Sequence, residues 1–350
     1  MPVSQVDFLI VGQGLAGSIL AFKLIARGQR VLVIDNDHNG SASQVAAGII
    51  NPITGHRLNL SDGFVNYLAC ATEFYAELES SLNINVINAI EQIRLLKNPG
   101  QAGYFDNRLQ QEEYRSFLQT NTKATLFNNS ELLNNPKLST AKVMQTSIVD
   151  TKRLLSTLKT WLIKQNSYSE CLVDYSQLHF SNDNISYAQT TANAVIFCEG
   201  YQAINNPWLK SLPFKLSKGE ILTIEKPRDT HSMLSWGNWL VPQSNSSKLG
   251  SNYAWNDTQL NTSDAIREKL LDSLENHTGL RPAVIDHEVG VRPTTVNRQA
   301  FVGGISQRSR AYCFNGFGSK GCLTIPKHAE LFCDHLINQT PLPENLTKCL

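Results

Sequence analysis

The sequence predicts an α/β chain: a Rossmann-like domain interleaved with an α+β second domain built on an antiparallel sheet. Three observations carry this expectation. A strand, glycine turn, helix, strand and acid open the chain in register. A second strand, glycine turn and helix stand near its other end, and long stretches of strand-like alternation lie between.

The opening unit begins with an apolar strand at residues 8–11, running into Gly12-Gln13-Gly14-Leu15-Ala16-Gly17. A helix-compatible stretch follows at 18–27, then a second strand at 31–34 ending on Asp35. The three glycines have different physical roles. The first turns the chain, the second admits a pyrophosphate to the backbone, and the third lets helix and strand pack closely. The helix N-terminus offers unpaired N–H groups and partial positive charge to phosphates. Asp35 lies about 20 residues on, placed to accept from the ribose hydroxyls. The unit therefore binds an adenine dinucleotide.

An ordinary nicotinamide domain would continue with another βα unit. This chain enters a run of small residues instead, Gly40 to Pro52, that can lie flat against a large ligand. Apolar residues at helical spacing predict a helix over 63–82, and short strands are expected at 93–96 and 124–127. Residues 147–151 are expected to open a second helix, capped by Asp150 or Thr151, with Leu154, Leu155, Leu158, Trp161 and Leu162 on one face. Strands are expected at 171–175 and 185–187, then a buried one at 194–198 ending on Glu199-Gly200. A meander is expected at 220–224, 239–241 and 249–255, closed by a helix over 263–277. Residues 290–298 are expected to form a loop, followed by strands at 300–304 and 312–314, the turn Gly316-Phe317-Gly318-Ser319-Lys320-Gly321 and a helix over 325–337. Two glycine turns of this kind suggest one extended cofactor touched from both ends.

Composition narrows the class. The 350 residues suit two domains sharing an interface, and charged residues make up only 17% against the ~25% usual in soluble chains. A net charge of +1 gives no broad electrostatic footprint for nucleic acid. No apolar run approaches the ~18 residues that span a bilayer, and the N-terminus shows no basic leader, so no membrane partner is expected. Seven cysteines without a CxxC read as reduced thiols of a cytoplasmic protein, and no metal site is expected.

These residues, in this order, resemble the FAD-dependent D-amino-acid oxidase superfamily, of glycine oxidase and sarcosine oxidase type. The resemblance rests on GQGLAG, SASQVAAGIINP, SIVDTKRLLSTL, IFCEG, KGEIL, GVRPTTVNRQAFVGG and NGFGSKG, and covers nearly the whole chain. It implies an FAD-binding domain at 1–65, 146–204 and 286–350 and a substrate domain at 66–145 and 205–285. It implies that Gly12, Gly14, Leu15, Ala16, Gly17, Asp35 and Asn36 hold the AMP half of FAD. Ser41, Ser43, Ala46, Ala47, Gly48 and Ile49 would line the flavin, with Val173, Glu199 and Gly200 also on the cofactor. Gly316, Gly318, Ser319, Lys320 and Gly321 would approach the pyrimidine edge of the ring. Relatives that tether FAD carry a Cys after the conserved Arg; here stand Pro293-Thr294-Thr295, which implies noncovalent FAD.

Arg292, in the G-x-R-P element, matches the arginine that sits by the flavin and pairs with the substrate carboxylate, for which its planar fork is suited. A structural ion pair is the other reading of that arginine. Lys320 either meets negative charge at N1–C2=O of the reduced ring or is a solvent-facing loop lysine. His56 and Arg57, just after the flavin-lining run, are polar candidates for the substrate pocket, and Tyr253 and Trp255 are candidates for its wall. The function implied is oxidation of the C–N bond of a small amino acid or secondary amine by hydride transfer to flavin N5. A flavin dehydrogenase of a 2-hydroxy acid, a tRNA-modification-type oxidase and a non-catalytic flavoprotein stay open, as do the electron acceptor and the oligomeric state.

Overall fold

In the computed structural model, residues 4–37, 40–120, 139–227, 230–348 and 350 are described. Strand β1 (Ser4–Val11) is central: it pairs in parallel with β2 (Val31–Asp35) on one side and with strand Thr190–Phe197 on the other. Both faces of its apolar end are therefore covered, Phe8 and Ile10 on one side, Leu9 and Val11 on the other. A parallel strand buried on both faces needs such an unbroken apolar run. Val11 stands level with Ile34 and with Phe197, and Phe197 with Cys313 of strand Ala311–Asn315. The four strands thus finish along one edge of the sheet.

Helix α1 (Leu15–Ala26) leaves that edge directly, with Gly14 at its N-cap and no side chain capping it. The glycines are forced by geometry. Gly12 has φ +105°, and a Cβ there would stand 2.6 Å from the Cys198 carbonyl oxygen. A Cβ on Gly17 would stand 1.9 Å from the Gly12 carbonyl oxygen, so helix and turn touch only because it is absent. Helices Thr151–Lys164 and Gly321–Asn338 pack beside α1 over the same face.

The second sheet is antiparallel apart from one parallel pair. It runs Ala254–Trp255, Ser217–Glu225, Ser246–Gly250, Trp239–Pro242, Met233–Ser235, Gln92–Leu96, Ser139–Val143, Leu118–Thr120, and Val284–Arg292 pairs along Ser217–Glu225. One face is closed by helix Asp264–Thr278, whose Leu270, Leu271 and Leu274 meet Ile93, Leu95, Leu222, Leu240 and Leu249. The other face looks toward the parallel sheet, where the short helix α2 (Ala42–Val45) packs on Val284–Arg292.

Several expected elements change. Residues 171–175 are not a strand: sheet pairing ends at Glu170, level with Asp35, and an Asp174 side chain then turns the chain by accepting from Ser176 N. Ser147–Val149 is a strand between Ile49–Ile50 and Ile87–Ala89, and the helix starts at Thr151, with Asp150 accepting from Arg153 N at 3.0 Å. The meander at 249–255 breaks into Ser246–Gly250 and Ala254–Trp255. The last helix begins a turn earlier than expected, at Gly321. Val284–Arg292 is a nine-residue strand that carries Gly290 past the expected start of a loop, and it runs in the antiparallel sheet. Gly290 is small there for packing, since a Cβ would lie 3.3 Å from the Ala42 Cα. The strand expected at 124–127 lies outside the described residues.

Gly17→Ala is expected to lower stability by about 1–3 kcal/mol, because the turn must yield to the new methyl group. A thermal melt matching the unsubstituted protein would show that helix and turn are not in the contact described.

Candidate functional site

A cavity of about 660 Å³ opens where the four parallel strands end, and it extends across to the antiparallel sheet. Ligands of open α/β sheets bind outside the carboxyl ends of the strands. Gly12, Gly14, Leu15 and Ala16 form one wall, followed by Asp35 and Asn36. Gly14 offers α1 no side-chain cap, so apart from Leu15 N the first-turn N–H groups are available to phosphate oxygens. Gln13 pins this turn from below: its Nε2 donates to Ser18 Oγ at 2.8 Å and to the Leu155 carbonyl at 3.1 Å. Asp35 is held ready, since Gln13 N donates to its Oδ2 at 2.6 Å and Asp37 N to its Oδ1 at 2.7 Å.

The small-residue run supplies the next wall through Ser41, Ser43, Ala46, Ala47, Gly48 and Ile49. Within it Ser41 caps α2, its Oγ accepting from Gln44 N at 3.3 Å. Ser43 Oγ accepts from Leu15 N at 3.1 Å. The C-terminal end of α2 is gripped from the antiparallel sheet by Lys248, whose buried ammonium donates to the Val45 carbonyl at 3.1 Å and the Ala46 carbonyl at 3.4 Å. Burial lowers the Lys248 pKa, and Glu288, 3.9 Å away, opposes that.

Val173, Glu199 and Gly200 line the cavity beside the glycine turn. Tyr175 OH donates to Glu199 Oε1 at 2.5 Å, and Asn206 Nδ2 donates to Oε2 at 2.7 Å. Burial pushes the Glu199 carboxyl up to about 7 against the pull of both donors. At the far end stand Gly318, Ser319 and Gly321. Asn315 ties this turn to the first sheet: its Nδ2 donates to the Gly200 carbonyl at 2.9 Å and its Oδ1 accepts from Gly316 N at 2.7 Å.

Arg292 ends its strand inside the cavity. Its Nη2 donates to Ser251 Oγ at 2.7 Å, Nη1 reaches the Asn252 carbonyl at 3.5 Å, and the guanidinium lies over the Tyr253 ring at 4.5 Å. A Cβ on Gly219 would stand 2.2 Å from Nη2, so that glycine makes the room. Burial lowers the Arg292 pKa, yet a guanidinium stays charged. No carboxylate among the described residues pairs with it, which removes the structural ion-pair reading.

Other expected residues lie elsewhere. Gly17 and Gly316 do not line the cavity; both are packing positions, Gly17 against Gly12 and Gly316 against Thr295. Lys320 does not line it either, because its Nζ turns away to Ser61 Oγ at 3.2 Å. Burial and then the Arg298 charge lower its pKa. His56 and Arg57 are exposed on the turn between Ile53–Thr54 and Asn59–Leu60, which carries them out toward Tyr104 and Gln101. Tyr253 lines the cavity; Trp255 stacks on it from outside. Sequence reasoning missed Tyr175, Ser251 and Asn315. Only Asn315 carried a local signal, an Asn before a glycine turn.

The uncapped helix, the oriented Asp35, the flat small-residue wall and a second glycine turn fit FAD along its length. A family model described as FAD dependent oxidoreductase (DAO) matches residues 7–335. The chain belongs to that family. Solved structures share the DAO fold at low identity. Glycine oxidase from Geobacillus kaustophilus superposes with a TM-score of 0.79 at 18% identity, over 97% of this chain and 96% of its own. Iminodiacetate oxidase from Chelativorans sp. BNC1 gives 0.78 at 16%, over 97% of each chain. Glycine oxidase from Bacillus cereus ATCC 14579 gives 0.80 at 14%, again over 97% of each. This DAO-family protein is thus an FAD-dependent oxidoreductase. Among its described residues no helix is long and apolar enough to cross a membrane, and no His/Cys/Asp/Glu group is arranged to hold a metal.

Lys248→Met leaves two buried carbonyls without their donor, a loss of about 1–3 kcal/mol. The variant is expected to melt earlier and to release FAD more readily, read as free-flavin fluorescence during the melt. Unchanged release would show that this lysine does not hold the α2 segment.

Proposed function

We propose that this protein oxidises the C–N bond of a small amino acid or secondary amine bearing a carboxylate, with the parallel sheet holding FAD and the antiparallel sheet holding substrate. The observation that carries this is Arg292: a charged fork inside the cavity, held by neutral acceptors and lacking an internal anion. An arriving carboxylate completes it with charge-assisted hydrogen bonds. Bound FAD, held noncovalently, supplies the two-electron acceptor for the substrate's Cα hydride.

The chain's own contribution is placement. Gly219 admits the guanidinium, Ser251 and the Asn252 carbonyl fix its plane, and Tyr253 covers one face. A carboxylate gripped at that point holds the substrate in the same cavity that Ala47, Gly48 and Ile49 line. The two acids that line the cavity, Asp35 and Glu199, belong to the dinucleotide end. Near Arg292 no carboxylate or histidine lines it among the described residues, so neither kind of base is placed to take the amine proton. The substrate must arrive as the free amine.

Two outcomes follow. Arg292→Ala is expected to raise KM for the best carboxylate substrate about 10- to 100-fold, the loss of a charged hydrogen-bonded pair. An unchanged KM would remove this residue from substrate binding. In the unsubstituted protein, kcat/KM is expected to climb with pH until the substrate amine's own pKa, since only the unprotonated amine reacts. The readout is anaerobic bleaching of the flavin across a panel of amino acids, secondary amines and 2-hydroxy acids. Bleaching by the hydroxy acids alone would overturn the assignment to amines, and flavin left in the acid-precipitated pellet would overturn noncovalent binding.

A further inference from the structure

Glu199 is an acid that the oxidation step does not use. Its Cα lies 3.3 Å from where a Gly12 Cβ would stand, so it sits against the turn whose backbone receives the pyrophosphate. Each carboxyl oxygen already takes one donor, from Tyr175 and from Asn206. No lysine or arginine among the described residues figures among the groups acting on it. The other titratable groups facing it are Tyr175 from the 175–177 turn, Cys198 on its own strand end and Cys313 on the neighbouring strand, with Asp35 and Tyr201 on the same cavity. Burial pushes the two thiols and both tyrosines upward, so these four stay neutral near neutral pH.

FAD brings a doubly charged pyrophosphate to this turn. An ionised Glu199 would oppose it with no cation between them, whereas a protonated one keeps an acceptor for its neighbours and gains an O–H to donate. We propose that Glu199 is the proton-linked contact of the FAD site: the dinucleotide is held with this carboxyl protonated, and binding takes up a proton whenever the free site has lost it.

The sign follows from linkage. The bound pyrophosphate raises Glu199's affinity for its proton above that of the free site. Affinity for FAD is then constant at pH values where the free site is already protonated. It falls by about tenfold per pH unit above that point, and levels off once the bound form also ionises. The step moves one proton between solvent and carboxyl and involves no redox change.

The test is serial dilution of the purified holoprotein, with released FAD read by its recovered fluorescence at a series of pH values. Between about pH 6 and pH 8.5 the FAD Kd is expected to rise at least roughly tenfold. Glu199→Gln, neutral at every pH, is expected to keep the low-pH affinity throughout. Tyr175→Phe removes a donor that favours the carboxylate, so its midpoint is expected to move to higher pH, and it decides the matter should Glu199→Gln fold poorly. The proposal is overturned by a pH-independent Kd in the unsubstituted protein, by a Glu199→Gln variant that retains the dependence, or by a Tyr175→Phe midpoint that stays or moves down. Substrate plays no part in this readout, so the assignment to amines can fail without it.

Discussion

The register of the parallel strands is the constraint on which the site rests. Because Val11, Ile34, Phe197 and Cys313 stand level, the loops that follow them open on one edge. Those loops carry the first glycine turn, Asp35, the Glu199-Gly200 turn and the last glycine turn. A slip of one residue would reverse every side chain on a strand and carry the loop that follows it out of line with its neighbours. The buried amide of Gln13 then joins turn, helix and the Thr151–Lys164 helix into one rigid piece.

Charge is divided along the cavity. Among the described residues its two carboxyl groups, Asp35 and Glu199, stand at the ends of parallel strands, and its guanidinium lies on the other sheet. The segment between, residues 41–49, is held from both sides: Ser43 accepts from α1, while Lys248 and the bridge between Ser41 and Val291 bind it to the antiparallel sheet. Lys152 and Lys248 both approach Glu288, so this junction carries its own charge network. The small-residue wall of the cavity is therefore common property of the two sheets. Distortion of either sheet reaches the cavity.

The sequence made the local units readable. The glycine turns, their flanking strands and Asp35 each have a contiguous signature: the strands form, and Gly12, Gly14, Asp35, Gly318 and Gly321 line the cavity, while Gly17 and Gly316 are packing positions. Arg292 is readable as a residue but not as an environment, because Gly219 comes from the neighbouring strand and Ser251 and Tyr253 from the connection between Ser246–Gly250 and Ala254–Trp255. His56 and Arg57 show the converse error: closeness in sequence to the flavin-lining run is not closeness in space, and an intervening hairpin turns them outward. Lys320 fails for a similar reason, its backbone capping a helix while its ammonium leaves for Ser61. Gly290 resembles a turn residue because glycine has two uses, and here close packing, not reversal, requires it. Glu199 stands out in the sequence, but its meaning depends on Tyr175 and Asn206, which no spacing brings together.

Among the described residues no carboxylate pairs with Arg292, and under the proposed reading this has an energetic logic. Removing a guanidinium from water costs several kcal/mol unless an opposite charge repays it. A hydroxyl, a carbonyl and an aromatic face offset only part. A carboxylate from the chain would stabilise the empty protein further, but a substrate would then have to displace it and leave it uncompensated. Leaving the charge incompletely satisfied transfers that interaction to the ligand. Gly219 serves the same end, since any side chain there would push the guanidinium out of the position in which a carboxylate can reach it. On that reading the folded protein is less stable at this point than it could be, and the proposed affinity for a carboxylate would come from that shortfall.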